Sequence, residues 1–105
     1  MSQIEENVIE NLQDLIFPQE IKDELAAMIR ARAELGLKKY GITLADNPAP
    51  IQERLQHAIE EALDLANYLE WIGLDVDEDI DSGQYSALFT ACRLLILKKE
   101  HKPTP

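Results

Sequence analysis

A chain of 105 residues with ten basic and twenty acidic side chains, net charge -10, is a poor neutraliser of nucleic-acid phosphates, because that binding draws on clustered lysine and arginine. Hydrophobic residues make up 46%, enough for a modest core in one domain spanning 1–105, yet no run approaches the roughly eighteen apolar residues of a membrane span. The single cysteine, Cys92, excludes an internal disulfide, and MSQIEENVIE has acids where a secretory signal is basic then apolar, so the expectation is a cytoplasmic protein that uses neither nucleic acid nor membrane.

Apolar residues recur at intervals of three and four, with no alternating strand pattern, which predicts an all-α chain. A first amphipathic helix, about 3 to 15, places Ile4, Val8, Leu12 and Leu15 on one face and ends near Phe17-Pro18, where proline suits the first turn of a new helix. The second, about 18 to 39, keeps Ile21, Leu25, Met28, Ile29 and Leu35 on one stripe. It stops at Tyr40-Gly41, glycine being the residue expected just past a helix end. The loop ITLADNPAP follows, broken by Asn47-Pro48 and Pro50, and its length of about ten residues is near the upper limit for a plain helix connection.

A third helix, about 51 to 72, ends at Gly73. After the acidic stretch LDVDEDIDSG a fourth runs from about 82 to 99, with Leu88, Ala91, Cys92, Leu95 and Ile96 expected inside, so that Cys92 reads as packing. Asp75, Asp77, Asp79 and Asp81 alternate like the opening of a calcium-binding hand, but Ile80 stands where glycine is required and Ser86 where a glutamate closes the shell. Asp81 or Ser82 reads instead as the N-cap of the fourth helix, and the tail HKPTP as frayed. Four helices of this kind suggest a bundle completed by a second copy of the chain.

The third helix carries the chemistry. At about 100° per residue it sets Ile51, Leu55, Ala58, Ile59, Ala62, Ala66 and Leu69 on one side. His57, Glu60, Glu61, Asp64, Asn67 and Tyr68 lie on the other, extended by Glu53 and Trp71. Acid-rich helix faces are usually just solvated. Here, however, Glu60 and Asp64 (i, i+4) and Glu61 and Asp64 (i, i+3) repel by a few tenths of a kcal/mol per pair. The only basic residue between Ile51 and Ile72 is Arg54, off the strip. Tyr68 and Trp71 share the strip, although a wet surface gains nothing from two large aromatics. Carboxylates one turn apart suit a hard, oxygen-bound cation, magnesium or manganese rather than zinc. His57 is placed to hydrogen-bond Glu60 or Glu61, a commoner role for a lone histidine than metal ligation. Arg32 falls within the apolar stripe of the second helix, so it either finds a carboxylate or extends to solvent.

The stretch Arg32-x-x-x-Gly36-x-x-x-Tyr40-Gly41-x-x-Leu44, followed by Leu55-Gln56-His57-Ala58-x-Glu60-Glu61-x-x-Asp64, resembles phage-type members of the all-alpha NTP pyrophosphohydrolase (MazG-like) superfamily. The resemblance covers about residues 20 to 72, and Glu-Glu-x-x-Asp is its most specific part. It implies cleavage of a nucleoside triphosphate between the α and β phosphates to the monophosphate and pyrophosphate, with Mg2+ or Mn2+ on Glu61 and Asp64 and Glu60 beside them. It also implies a homodimer or homotetramer and a preference for purine deoxynucleotides. The chain departs from the pattern in lacking the earlier Glu-x-x-Glu pair, for which Glu20 with Glu24, or Glu34, are substitutes.

In the mechanism this suggests, Glu60 accepts the proton of the attacking water. Lys38 and Lys39 either reach phosphate oxygens or simply complement the helix dipole, Tyr68 or Trp71 stacks on the base, and Arg32, His57 and Asn67 support the site. The alternative is an acidic helical interaction protein without catalysis, one that binds a basic partner or mimics nucleic acid.

Overall fold

The computed structural model describes residues 1–76 and 78–101; Asp77 of the rejected calcium-hand pattern and Lys102 to Pro105 of the tail lie outside them. The described residues form four α-helices and no strand: α1 (Gln3–Gln13), α2 (Gln19–Tyr40), α3 (Ile51–Gly73) and α4 (Asp81–Glu100). The predicted all-α architecture therefore holds, with helix ends within about two residues of those read from the sequence. No helix among the described residues is long and apolar enough to cross a membrane. Two compact units divide the chain, Met1–Pro48 and Ala49–Pro105.

In the first unit α1 and α2 form an antiparallel hairpin. Glu5, the third residue of α1, reaches back to accept the Ser2 backbone N–H at 3.0 Å and the Ser2 hydroxyl, which satisfies a donor the helix itself cannot. At the other end of α1, the buried Lys22 of α2 donates from Nζ to the Gln13 carbonyl at 2.8 Å, so its charge sits where the helix dipole is negative. Pro18 stands just ahead of α2, its carbonyl taking the amides of Ile21 and Lys22. Gly41 ends the helix in the left-handed region, φ 76°, with its N–H on the Leu37 carbonyl at 2.8 Å.

The faces in this unit differ from those predicted. Ile9 and Ala26 are buried and Leu12, Ile29 and Ala33 half-buried, whereas Ile4, Val8, Leu15, Ile21, Leu25, Met28 and Leu35 are exposed. Ile4, Val8 and Leu15 share an amphipathic stripe, but α1 rests on α2 through the neighbouring line of Ser2, Glu5, Ile9 and Leu12. The small Ala26 and Ala33 let it approach there.

The second unit is the α3–α4 hairpin. Leu55, Ile59 and Ala66 of α3 and Ala87 and Ala91 of α4 are buried, with Ala62, Leu69 and Leu94 half-buried between them. Near the turn the helices approach closely at Gly83, where an added Cβ would come 3.3 Å from Leu69 Cδ1 and the leucine would have to shift slightly. Gln84 Nε2 bridges to the Ala66 carbonyl (3.2 Å) and to Glu70 Oε2 (3.1 Å).

Three expectations for this unit are corrected. Cys92 is exposed, not packed, and Leu88, Leu95 and Ile96 are exposed beside it, because α4 meets α3 through Gln84, Ala87, Ala91, Leu94 and Lys98. Leucines and isoleucines occur all around α4, so periodicity alone could not select a face; the alanines decide it. Ile51 and Ala58, expected on the inner side of α3, are exposed, while Gln52 and Gln56 are half-buried. Finally, α4 begins at Asp81 itself, whose N–H is taken by Asp79 Oδ1 at 2.9 Å. The N-cap is thus Ile80, not Asp81 or Ser82, and it makes no side-chain cap.

Candidate functional site

The acidic strip forms as its spacing predicts, because α3 is unbroken from Ile51 to Gly73 and its apolar side is taken up by α4. His57, Glu60, Glu61, Asp64, Asn67, Tyr68 and Trp71 are all exposed, Tyr68 at 57% and Trp71 at 66%. Those two fractions exclude the rings from the core of their own unit and leave most of each face free for contact. Among the described residues no hydrogen bond or ion pair engages the side chains of His57, Glu61, Asp64, Asn67, Tyr68 or Trp71. Arg54 gives no relief to the strip, since its Nε donates to the Ala49 carbonyl at 2.6 Å. The acids of the strip therefore share one exposed face without an ion pair among the described residues.

Glu60 is the exception. Its Oε1 accepts Gln56 Nε2 at 3.3 Å, and Gln56 Oε1 in turn accepts Lys98 Nζ at 2.6 Å. The donor to Glu60 is thus Gln56, not His57. Glu53, Gln56, His57 and Glu60 border a shallow hollow of about 240 Å³. Gln56 was missed as a functional candidate, although a glutamine four residues before a glutamate is a helix-surface pairing that spacing alone signals.

Glu61 and Asp64 fit a magnesium-type ion in the nature of their donors, which are carboxylate oxygens with no competing partner. No group of three or more His, Cys, Asp or Glu converges among the described residues. One or two carboxylates are what Mg2+ commonly takes from a protein, since it keeps several of its waters. Glu20, Glu24 and Glu34 are exposed on α2.

The other predicted residues lie in the first unit. Lys38 and Lys39 occupy the last turn of α2, and Lys39 Nζ sits 5.3 Å from the centroid of the Tyr40 ring, within cation–π range. Arg32 is exposed and meets no carboxylate within its own unit among the described residues. It lines a cleft of about 370 Å³ with Glu5, Ile29, Gly36, Tyr40 and Leu44. Glu5 is held below the ordinary carboxylate range, chiefly by the hydrogen bond from the Ser2 hydroxyl.

Fold and site together define an all-α protein of four helices among its described residues, with an exposed acidic and aromatic strip on the third. No protein family, curated protein or solved structure matches the chain.

Proposed function

We propose that the chain is a metal-dependent nucleoside triphosphate pyrophosphohydrolase, cleaving a (d)NTP to the (d)NMP and pyrophosphate, with purine deoxynucleotides preferred. The observation that carries this reading is that Glu60, Glu61 and Asp64 crowd one exposed helix face, Asp64 about one turn from each glutamate, with no ion pair to any of them among the described residues. Like charges at i, i+3 and i, i+4 weaken a helix, and a divalent cation reverses the sign of that interaction.

Glu61 and Asp64 would hold Mg2+ or Mn2+, which when bound lowers the pKa of coordinated water and neutralises triphosphate charge. Glu60 takes the proton of the attacking water as its oxygen bonds to the α-phosphorus. The bond from that phosphorus to the bridging oxygen breaks, and pyrophosphate leaves with the electron pair. Tyr68 or Trp71 offers an exposed ring face for the base. Lys38 and Lys39 supply positive charge for phosphate oxygens, and Arg32, His57 and Asn67 support binding. The exposed apolar side chains of both units, Leu25, Met28 and Phe89 among them, support a homodimer or homotetramer.

A second reading rests on the same exposure of Tyr68 and Trp71 beside acids: a surface that docks a basic partner, or mimics nucleic acid, without chemistry. The two separate on incubating the chain and its Asp64→Ala variant with canonical and modified nucleotides plus Mg2+ or Mn2+, and measuring phosphate products. Pyrophosphate release by the wild type alone is expected. Orthophosphate as the sole product would contradict the bond named, and no turnover of any nucleotide would leave the docking reading in its place.

A further inference from the structure

The open end of the α3–α4 hairpin is closed by two glutamines one turn apart on α3. Gln52 donates from Nε2 to the carbonyls of Lys98 (3.2 Å) and His101, occupying acceptors that the end of α4 leaves unpaired. Gln56 does something different, because it accepts Lys98 Nζ at 2.6 Å through Oε1. A lysine ammonium has three donors and no acceptor. The Gln56 amide can therefore meet it only through oxygen, and the nitrogen is left for another partner. That partner is Glu60 Oε1, at 3.3 Å.

We propose that Gln56, with its amide orientation locked by Lys98, is the positioning residue for Glu60. It engages Oε1 and leaves Oε2 as the oxygen that takes the proton from water. The inference rests on the reading of Glu60 as proton acceptor given above. Lys98 and Gln56 are half-buried, so their charge-assisted bond is partly shielded from water, whereas Glu60 is exposed at the border of the hollow that it shares with Glu53 and His57. Without Gln56, the Glu60 side chain would sample its rotamers freely beside two like charges.

A simple clamp between α3 and α4 would need only the oxygen of residue 56. Glutamate there would serve a clamp at least as well, since it pairs with Lys98 as a full charge. Gln56→Glu therefore separates the two roles: it keeps the bond to Lys98 but removes the donor to Glu60 and adds a repelling carboxylate four residues before it.

The test has two arms, both on the full chain. In the first, the side-chain amide resonances of Gln56 are followed by 15N NMR without nucleotide or metal. They are expected to move in Glu60→Ala and in Lys98→Met, and a signal indifferent to Glu60→Ala would overturn the link. In the second, steady-state pyrophosphate release is compared among wild type, Gln56→Glu, Lys98→Met and Lys98→Arg. Gln56→Glu and Lys98→Met should lower kcat about tenfold with KM unchanged, the lower end of what an orienting partner is worth, and Lys98→Arg should restore most of it. An active wild type matched in kcat by a folded Gln56→Glu chain would overturn the proposal. A wild type inactive on every nucleotide would instead strike the reading of the enzyme, with the NMR arm still deciding whether Gln56 holds Glu60.

Discussion

Gly41 shows how much a single residue can specify. Its φ of 76° lies where an L side chain is rarely found, yet a Cβ added there would meet nothing within 4 Å, so any penalty on substitution belongs to the backbone alone. Gly41→Ala should cost about 1–2 kcal/mol and Gly41→Asn distinctly less, since asparagine tolerates the left-handed region; urea midpoints rank the two. Glu5 allows a second prediction at this scale. The Ser2 hydroxyl, then the backbone amides, hold its folded pKa below the reference value of 4.5. The associated stability is thus fully present above that value and is lost as pH falls through the folded pKa. Ser2→Ala removes the largest cause. The difference in urea midpoint between wild type and variant should therefore shrink on acidification from about pH 5, and a difference constant with pH would show that the hydroxyl acts on packing alone.

At the scale of the element, the helices are legible because their boundary signals are local: Gly41 takes the left-handed conformation that ends α2, and Pro18 and Pro50 stand just ahead of α2 and α3. The faces were less so. On α3 one side is apolar and the other acidic, and the prediction held for Leu55, Ile59, Ala66 and the strip from Glu60 to Trp71. On α2 and α4 large aliphatics occur on more than one side, and the choice fell to alanines, whose small volume lets a neighbouring helix approach but whose apolarity stands out little in a sequence. The pairing of Gln56 with Glu60 follows helix spacing, but its other partner, Lys98 on α4, is 42 positions away, a contact that no local pattern reveals. The corrected face of α4 makes a direct prediction. Ala91→Leu should destabilise the hairpin by about 1–3 kcal/mol through overpacking, whereas Cys92→Ser should stay within about 0.5 kcal/mol, as surface substitutions do. Urea unfolding of both variants checks the ranking, and a larger loss for Cys92→Ser would restore the face first read from the sequence.

For the whole molecule, a net charge of -10 means general self-repulsion, which any added salt will screen; stabilisation by ions is therefore not in itself a sign of a site. A site differs from screening in being stoichiometric, valence-dependent and lost with its ligands. Mg2+ or Mn2+ bound only to the folded chain at a hundred times its Kd stabilises by about 2.7 kcal/mol, whereas monovalent salt at matched ionic strength supplies the screening part alone. The thermal midpoint should thus rise with either divalent ion beyond the matched sodium chloride control, and Asp64→Ala should remove that excess while leaving the screening response in place. Asp64→Ala also relieves two repulsive pairs on α3, so without divalent ions the variant is expected to be as stable as the wild type or slightly more so. That crossing of the two curves is hard to produce any other way: a residue needed merely for folding would lower the midpoint in every buffer, and an acidic docking surface would respond to the two salts alike.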